Sequence, residues 1–517
     1  RYDDAEKMAL LITQEFPENQ FAWKVLGALL GQKGMKAEAL NATQKAVQLV
    51  PQDAEAHNNL GITLKEVGRL EEAEASYTQA IALKSDYAKA HNNLGVTLKE
   101  LGRLEEAEAS YRQAISLKPD FADAYLNLCE LLEKSNKLDE TVLVIKNAIG
   151  KVVEKEADFL YYEALILFRE ENYEIAGRLI TKIKEDELTE KIKSSFLKLK
   201  GDLHHYKKDY SVAFEAFKAM NEKVKDSSEY KKQAAENIFN QQREIVFQIE
   251  QLQEESSYKT AIRATWLQPT FLIGFPRSGT TLLDSILRSH SKIDVVEEKP
   301  MLSKMVSRLG NISKISAIEE IDNTEAETLS GFYFEELKKY SQIGKGTVVI
   351  DKFPLNILKV PLINQIFPQA KFVLALRHPL DCVFSSWMQP FEMNPAMANM
   401  VDLDKVVDFY CTAMEIFHLC QTRYALNIHR VRYEDLVLDF EGEVSNILRF
   451  LNLKWEEGLR NYQETAFARG MISTPSYSQV VKPIYNTASY RWKNYKKYLA
   501  PYKTRLAPWL QEYGYLS

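Results

Sequence analysis

The sequence predicts a two-part protein in which an all-α repeat array precedes an α/β domain with a parallel sheet. The first half repeats itself with a period of 34 residues, which indicates stacked helical units. After Trp266, short apolar runs alternate with helical segments, as expected of a parallel α/β sheet. We therefore expect a repeat solenoid over residues 1–225, a connecting helix over residues 226–265 and an α/β domain over residues 266–517.

The repeats are nearly identical at their centre. The segment HNNLGITLKEVGRLEEAEASYTQAIALKSD begins at His57 and returns almost unchanged from His91. Small residues recur in register along the array: Gly27, Gly61 and Gly95; Gly34, Gly68 and Gly102; Ala39, Ala73 and Ala107. These features resemble the tetratricopeptide repeat, a helix–turn–helix unit whose small residues let paired helices approach closely. The resemblance implies a curved solenoid with a concave face.

Paired asparagines occupy equivalent positions in two repeats, namely Asn58, Asn59, Asn92 and Asn93. Two interpretations stay open, a peptide-binding groove and a solvated helix face. Repeat arrays often bind partners, but the fold does not identify the partner. Residues 226–262 are rich in Glu, Gln and Lys and carry a sparse apolar stripe. That composition predicts the connecting helix between the two halves.

Composition excludes several classes of protein. The 517-residue chain carries a net charge of −6 with 27% charged residues, so it lacks the basic footprint of a nucleic acid binder. Its four cysteines show no CxxC or metal-ligand spacing, which favours a reducing compartment and argues against a structural metal. No apolar run approaches the roughly 20 residues of a membrane span. We expect a bacterial cytoplasmic protein, although the chain begins at Arg1 and leaves an N-terminal anchor upstream open.

The stretch FLIGFPRSGTTLLDSIL, from Phe271 to Leu287, predicts a strand, a tight glycine turn and the start of a helix. Backbone N–H groups at the mouth of a helix lie at the positive end of its dipole and bind phosphate or sulfate. The residues that supply these groups here are Ser278, Gly279, Thr280 and Thr281. The sequence therefore predicts an oxyanion cradle in this turn.

The spacing of Gly274 and Gly279 imitates a nucleotide-binding P-loop, but the match is incomplete. Thr280 occupies the position of the P-loop lysine, which would reach the β- and γ-phosphates. The nearest cation is Arg277, two residues before the second glycine. A P-loop kinase is therefore a disfavoured alternative.

Two further segments place charged residues after apolar runs. Asp351 and Lys352 follow TVVI, and Arg377 follows FVLAL. Because ligands of parallel α/β sheets bind at the carboxyl ends of the strands, we expect these residues to converge with the oxyanion cradle.

These motifs together resemble, over residues 268–500, the sulfotransferases that use 3′-phosphoadenosine 5′-phosphosulfate (PAPS). The sequence PRSGTT at 276–281 matches the family loop for the 5′-phosphosulfate. The sequence RHPLDCVFS, in which Arg377 and Ser385 are eight residues apart, matches the motif for the 3′-phosphate. The segments DKFPLN at 351–356 and VRYEDLV at 431–437 also recur in these enzymes.

Closer similarity is to the tyrosylprotein sulfotransferase branch and to the bacterial repeat-containing sulfotransferases. In that branch a glutamate pair follows the first loop, and Glu297 and Glu298 lie at the matching distance. The segment SYSQVVKPIYNTASYRW matches a cofactor-binding region, which places Ser476 and Arg491 near the nucleotide. Arg491 stands where the family has lysine. Pro300 replaces an arginine that shapes the tyrosylprotein enzymes' site, which puts peptide-tyrosine specificity in doubt.

The resemblance implies a role for each matched residue. Glu298 is the expected general base, with His290 as a weaker alternative because the related histidine is usually structural. Arg277 and Lys352 are the cations expected against the sulfuryl and bridging oxygens. The residues expected to bind PAPS are Arg277, Ser278, Gly279, Thr280, Thr281, Arg377, Ser385, Tyr433, Ser476 and Arg491. For Tyr433 a core tyrosine at a strand end would give the same pattern, and no metal is expected.

The sequence as a whole predicts a PAPS-dependent sulfotransferase that sulfates a hydroxyl of a protein tyrosine, a glycan or a small molecule. The repeat array is expected to recruit the substrate or a protein partner. The alternative is a non-catalytic interaction scaffold with a vestigial nucleotide-binding domain. The identity of the acceptor is left open by the sequence, because both folds serve many substrates.

Overall fold

The computed structural model describes residues 2–234, 238–251, 266–308, 315–341, 346–470, 472, 474–484 and 489–515. The chain divides into two compact units, Arg1–Thr189 and Glu190–Ser517. This division lies before residue 225, to which the repeat pattern of the sequence extends. Each unit has its own core, and only the second contains the parallel sheet.

The first unit is all-α, as the 34-residue period predicts. Its α-helices are α1 Tyr2–Glu15, α2 Gln20–Gln32, α3 Lys36–Leu49, α4 Ala54–Glu66, α5 Leu70–Leu83, α6 Ala88–Glu100, α7 Leu104–Leu117, α8 Ala122–Lys134, α9 Leu138–Ala148, α10 Glu156–Arg169 and α11 Tyr173–Ile180. Short 3-10 helices span Val153–Lys155 and Glu185–Glu187.

Glycine sets the distance between paired helices of the first unit. A Cβ atom on Gly95 of α6 would lie 2.7 Å from the Tyr111 ring of α7. The same contact at Gly61 would be 2.6 Å from Tyr77. Each tyrosine is fully buried against its glycine, because only a residue without Cβ leaves room for the ring. The repeated small residues therefore act through close helix packing.

Asparagines join successive repeats within the first unit. Asn93 Nδ2 donates to Asn58 Oδ1 at 3.0 Å, and Asn127 Nδ2 donates to Asn92 Oδ1 at 3.0 Å. Asn58 and Asn92 are only 5% and 7% exposed. These two residues are therefore not part of a solvated helix face, one of the two interpretations that the sequence left open.

The second unit contains two further helices that precede the predicted connecting segment, α12 Glu190–Tyr206 and α13 Tyr210–Asp226. A Cβ on Gly201 would lie 2.5 Å from the Phe217 ring. This glycine and aromatic ring are 16 positions apart, as are Gly95 and Tyr111. The helix pair is thus built like a repeat, although it packs within the second unit.

The predicted connecting helix over residues 226–265 is described only in part. Its described portion forms α14 Ser228–Ala234 and α15 Ile238–Gln251. Residues 235–237 and 252–265 lie outside the described residues. Val246 and Ile249 of α15 are buried in the main core of the second unit, so this helix packs on the α/β domain.

The sheet of the second unit has five parallel strands in the order β2-β3-β1-β4-β5. The strands are β1 Thr270–Gly274, β2 Ile293–Glu297, β3 Val348–Lys352, β4 Lys371–Leu376 and β5 Asn427–Arg432. Four of them coincide with short runs of the sequence after Trp266, namely FLIGF, TVVID, KFVLALR and the start of IHRVRYEDL. The fifth, β2, is a strand that the sequence pattern did not single out.

Helices cover the sheet and fill the rest of the unit. They are α16 Thr280–Arg288, α17 Met301–Val306, α18 Ile315–Glu319, α19 Asn323–Leu337, α20 Val360–Ile366, α21 Pro379–Trp387, α22 Leu403–Arg423, α23 Tyr433–Leu438, α24 Phe440–Phe450, α25 Tyr462–Ala468, α26 Tyr477–Val480, α27 Lys496–Leu499 and α28 Lys503–Glu512. Short 3-10 helices span Pro354–Lys359, Met397–Val401, Glu457–Asn461, Arg491–Tyr495 and Ala500–Tyr502.

The pair α12 and α13 packs against the C-terminal part of the α/β domain. Phe214 stacks on Tyr498 with ring centroids 3.8 Å apart and on Trp387 at 5.0 Å. Asn221 Nδ2 donates to the Trp387 carbonyl at 2.8 Å. Trp387 is buried, and Phe214 and Tyr498 are partly buried. Full burial of one such side chain contributes about 1.5–3 kcal/mol, so these contacts favour the packing by part of that amount for each ring. These helices are therefore part of the α/β unit's core.

Candidate functional site

Five chain segments converge at the carboxyl edge of the sheet. The loop 275–279 follows β1, and Glu298 follows β2 directly. Lys352 ends β3, Arg377 follows β4 and Tyr433 follows β5. The sequence predicted three of these convergences from the strand-end rule for parallel sheets.

The loop after β1 is shaped by two left-handed residues. Arg277 has φ 69° and Gly279 has φ 107°. A Cβ on Gly279 would lie 3.2 Å from the Tyr433 ring, so the close approach of α23 also requires glycine there. Gly279 caps the N-terminus of α16, whose first N–H groups have no partner within the helix. The loop therefore presents backbone donors at the edge of the sheet.

Arg277 is the centre of a polar network. Its Nε donates to Ser385 Oγ at 3.1 Å, its Nη1 donates to Ser476 Oγ, and its Nη2 donates to Gln479 Oε1 at 3.3 Å. Arg377 Nη1 in turn donates to the Arg277 carbonyl at 3.2 Å. Two guanidinium groups and two serine hydroxyls thus gather beside the loop.

Tyr433 and Thr281 complete the surroundings of the loop. The Arg377 guanidinium lies 5.1 Å from the centroid of the Tyr433 ring, which is a cation–π distance. Thr281 Oγ1 lies 3.0 Å from Thr474 Oγ1. The C-terminal segment that carries Thr474 and Ser476 therefore closes over the start of α16.

A buried lysine joins the ends of β2 and β3. The Lys352 side chain is 0% exposed, and its Nζ donates to Glu297 Oε1 and Glu298 Oε1, both at 2.9 Å. Burial lowers the pKa of Lys352, but the two carboxylates outweigh burial and hold that pKa above its usual value. The ammonium group therefore stays charged at physiological pH.

The two glutamates differ in environment. The side chain of Glu297 is 7% exposed, whereas that of Glu298 is 36% exposed. Glu297 also pairs with Arg469, which bonds to the buried Asp284 at 3.0 Å. Burial raises the pKa of Glu297, but the charges of Lys352 and Arg469 outweigh it and keep that pKa below its usual value. Glu297 is thus a structural anion, and Glu298 is the more accessible carboxylate.

The comparisons with known proteins agree with this geometry. Residues 269–457 match the model of the sulfotransferase family. Residues 42–75, 63–102 and 88–121 match models of the tetratricopeptide repeat. The chain joins tetratricopeptide repeats to a sulfotransferase-family domain.

Relatives of known sequence align mainly with part of the chain. An uncharacterized protein of Aquifex aeolicus (strain VF5) is 29% identical over 309 residues, which cover 57% of this chain and 39% of that protein. Protein-tyrosine sulfotransferase 1 of Danio rerio is 25% identical over 239 residues, covering 43% of this chain and 64% of the enzyme. The chain thus spans less than two thirds of the length of either relative. A solved structure of MamA is 29% identical over 29% of this chain and 88% of its own, with a TM-score of 0.27.

The sulfotransferase-family domain brings most of the predicted site residues together. Loop residues 277–281, Arg377, Ser385, Tyr433 and Ser476 form one contiguous network. Glu298 and Lys352 form a second group at the ends of β2 and β3. Arg491 lies apart from the direct Arg277 contacts, with Nη2 at 3.6 Å from Asp202 Oδ1 of α12. The 485–488 part of the predicted cofactor-binding segment lies outside the described residues.

The structure also shows the surroundings of His290, the alternative base, and of Pro300, the departure from the family pattern. The ring of His290 is buried, with Nδ1 accepting from the Lys292 N–H at 3.0 Å and Nε2 lying 2.9 Å from the Lys454 carbonyl. Both ring nitrogens therefore serve backbone groups. Pro300 caps the start of α17, where it supplies no charge to the site.

Sequence reasoning missed two polar residues of the domain. Arg469 forms ion pairs with both Glu297 and the buried Asp284, so Asp284 acts on Glu297 only through Arg469. An acidic residue on the apolar face of α16 was the available signal for Asp284, since a buried carboxylate requires a partner. Arg469 offered no such signal because it lies in a loop far along the chain.

The described residues contain no group of three or more His, Cys, Asp and Glu side chains that could hold a metal ion. Among the helices that the structure describes, none has the length and apolar character needed to cross a bilayer.

Proposed function

We propose that the unit Glu190–Ser517 transfers a sulfuryl group from PAPS to an acceptor hydroxyl. The observation that carries this proposal is the meeting of Arg277 with Ser385, Ser476 and Arg377 beside the loop after β1. When bound, PAPS supplies an SO3 group, whose bond to the 5′-phosphate oxygen breaks as the acceptor oxygen bonds to sulfur and adenosine 3′,5′-bisphosphate leaves. The similarity to protein-tyrosine sulfotransferases supports the same reaction class.

The loop after β1 fits the phosphosulfate end of this donor. The Ser278 hydroxyl is buried and has no hydrogen-bond partner among the described residues. An unpaired buried hydroxyl is costly unless a ligand satisfies it. Together with the N–H groups at the start of α16, this hydroxyl would hold anionic oxygens. Arg277 would add positive charge at the same place.

Arg377 and Ser385 are the residues that would hold the 3′-phosphate. Ser385 is buried in the last turn of α21, and Arg277 Nε already orients its hydroxyl. Arg377 is fixed by the Arg277 carbonyl and by the Tyr433 ring. Such orientation favours charge-assisted binding because less side-chain entropy is lost when the ligand arrives.

Glu298 would take the proton of the acceptor hydroxyl. Its side chain is 36% exposed, whereas Glu297 is held by both Lys352 and Arg469. The Glu298 carboxylate would therefore be the one that an acceptor can reach. Lys352 would stabilise the charge that develops on the leaving oxygen, because its ammonium lies at the same strand ends.

The repeat unit would recruit the acceptor or a protein that carries it. A groove of about 290 Å³ between α4, α6 and the start of α8 is lined mostly by polar and charged side chains. Asn59 and Asn93 line this groove, and Asn58 and Asn92 hold its floor through bonds between repeats. Amide side chains of this kind can bind the backbone of an extended peptide.

We place the protein in the bacterial cytoplasm, in keeping with its free cysteines.

A titration with adenosine 3′,5′-bisphosphate tests the donor assignment in the full chain. We expect saturable binding by the wild type and a loss of at least about tenfold in affinity for Arg277→Gln, since a charge-assisted hydrogen bond contributes about 1.5–3 kcal/mol. Arg460→Gln is the matched control, because Arg460 is an exposed arginine with surface partners.

Two other results would contradict the proposal. Wild-type protein that binds no adenosine 3′,5′-bisphosphate would favour an interaction scaffold without catalysis. Magnesium-dependent ATP hydrolysis by the pure protein would favour a kinase-like function, despite Thr280 in the lysine position.

A further inference from the structure

Helix α12 brings three polar side chains to the C-terminal part of the domain. Lys198 pairs with Asp202 one helical turn later, and Asp202 Oδ1 lies 3.6 Å from Arg491 Nη2. His205 Nδ1 lies 2.8 Å from the Tyr495 hydroxyl, and the two rings stack with centroids 5.7 Å apart. Asp202 therefore bridges a lysine of α12 and an arginine of the predicted nucleotide-binding segment.

These side chains are largely removed from water. Lys198, Asp202 and Arg491 are 19%, 18% and 20% exposed. The Arg491 Nε atom is buried and has no hydrogen-bond partner among the described residues. The site thus holds a donor that no described protein group satisfies.

Positive charge exceeds negative charge in this cluster. Burial lowers the pKa of Lys198, Asp202 opposes this effect, and the charges of Arg491 and Arg277 lower the pKa further. Burial and then Arg491 lower the pKa of His205 to about 3, so its ring is neutral. Three cations therefore lie near one carboxylate in a poorly hydrated site. Like charges placed together in this way are stabilised by a bound anion.

We propose that Lys198 is an additional anion-binding residue of the donor site and that Asp202 positions Lys198 and Arg491 around the same ligand. The inference rests on the proposed function, because the ligand is the phosphate-bearing nucleotide of the sulfuryl donor. It extends the site to residues 190–226, which lie outside the 269–457 match to the sulfotransferase family. The repeat-like helix pair then serves donor binding directly.

A titration of adenosine 3′,5′-bisphosphate into full-length variants tests this assignment. We expect Lys198→Met to weaken binding about tenfold, since one charge-assisted contact is lost. Methionine retains an unbranched apolar side chain beside Phe217, over whose ring Lys198 Nζ lies at 5.9 Å. Lys198→Arg retains the positive charge and should lose no more than about threefold. Lys218→Met removes an exposed lysine from α13 and should bind like the wild type.

The Asp202→Asn variant distinguishes a positioning role of Asp202 from a direct electrostatic effect of its charge on the bound anion. Removal of a negative charge beside an anion would by itself strengthen binding. If Asp202 positions the two cations, Asp202→Asn weakens binding instead, and its far-ultraviolet circular dichroism remains that of the wild type. Tighter binding by this variant would overturn the positioning role.

Wild-type affinity in Lys198→Met would overturn the inference and leave the proposed function intact. A wild-type protein that does not bind the nucleotide would instead overturn the proposed function. The two failures are therefore distinguishable within one set of titrations.

Discussion

Two residues that we propose for the chemistry, Arg277 and Glu298, hold backbone conformations that residues other than glycine seldom adopt. Their φ angles are 69° and 49°, each in the left-handed region that favours glycine. Such conformations cost about 1–3 kcal/mol each and persist where surrounding contacts enforce them. For Glu298 the enforcing contact is its N–H bond to the Lys352 carbonyl at 2.8 Å. The backbone is thus fixed where the proton transfer is proposed to occur.

Replacement of Glu298 tests its role as base. We expect Glu298→Gln to lower turnover of sulfate transfer by about 10²–10⁴-fold, the usual contribution of a general base. Affinity for adenosine 3′,5′-bisphosphate should change little, because Glu298 is proposed to act on the acceptor and not on the nucleotide. Initial rates with labelled PAPS and calorimetric titration measure the two quantities, and the exposed Glu327→Gln on α19 is the control. A variant with normal turnover would remove Glu298 from the mechanism.

Asp351 predicts a pH dependence of stability. Burial raises the pKa of Asp351 to about 7, although the Tyr333 hydroxyl bonds to its carboxylate at 3.0 Å. Because this folded-state pKa lies above the unfolded value, the folded protein binds the extra proton. The contribution of protonated Asp351 to the free energy of unfolding is fully present below about pH 4 and is lost as pH rises through 7. The free energy of unfolding falls by about 4 kcal/mol over that range.

Urea denaturation of wild type and Asp351→Asn at several pH values measures this effect. We expect the wild type to lose stability relative to the variant as pH rises from 4 to 8, because the amide does not ionise. Parallel stability curves for the two proteins would show that Asp351 does not titrate in this range.

Local sequence was sufficient to predict that the loop after β1 and the basic residues at the strand ends lie together. Arg277, Lys352 and Arg377 each follow an apolar run, and the strand-end rule brings them together. The expectation for Asp351 was wrong, because its buried carboxylate accepts a bond from the Tyr333 hydroxyl at 3.0 Å.

Arg469 is different, because its partner Asp284 lies 185 positions away and no motif connects them. Ion pairs between distant segments depend on the tertiary fold, so a single sequence does not reveal them.

At the scale of elements, the helix pairs are defined by a glycine that faces an aromatic ring. Gly61, Gly95 and Gly201 each lie against a ring 16 positions later in the chain. Close approach of two helices at such a glycine buries the ring and excludes larger residues. The 34-residue period revealed the pairs of the repeat unit, because each repeat needs the same close contact between its two helices and therefore the same small residue.

Substitution at Gly95 tests this packing. We expect Gly95→Ala to destabilise the protein by about 1–3 kcal/mol, since the added methyl group would overlap the Tyr111 ring. Gly31→Ala is the matched control, because its Cβ would meet only a glutamate oxygen at 3.8 Å. That control should gain up to about 1 kcal/mol from helix propensity. Equal stability of the two variants in urea denaturation would contradict the close-packing interpretation.

Strand β2 shows where element prediction reached its limit. Its sequence, IDVVE, contains only three apolar residues and ends at Glu297, the first residue of the glutamate pair. Short apolar runs do not distinguish a strand from a loop or a helix by periodicity. The segment is a strand because it pairs in parallel with β3, where Val296 aligns with Asp351 and Glu297 with Lys352. This register also places the catalytic candidates Glu298 and Lys352 side by side.

At the scale of the whole molecule, the proposed donor site lies entirely within the unit Glu190–Ser517. Sequence periodicity continues into this unit through α12 and α13, whereas their contacts with Tyr498 and Trp387 belong to the α/β core. Periodicity reports how a helix pair is built, and tertiary contacts report which core it joins. This difference accounts for the predicted boundary at residue 225, which differs from the division of the compact units after Thr189.

Donor binding should therefore stabilise one unit of the molecule. At a nucleotide concentration 100 times the dissociation constant, binding contributes about 2.7 kcal/mol to the stability of the unit that binds. We expect adenosine 3′,5′-bisphosphate to slow amide hydrogen exchange within residues 190–517 and to leave residues 54–117 unchanged. Equal slowing in both ranges would contradict a donor site confined to the second unit, and Arg277→Gln should abolish the effect.

The central claim, sulfuryl transfer, is tested most directly by following label from PAPS carrying ³⁵S in its sulfuryl group. The acceptors to compare are a tyrosine peptide, a glycan and a small phenol, with wild type and Glu298→Gln measured in parallel. Transfer to at least one of these hydroxyl-bearing acceptors by the wild type, and its near loss in the variant, is the expected result. Absence of transfer to every acceptor, together with magnesium-dependent transfer of the γ-phosphate from ATP, would contradict it.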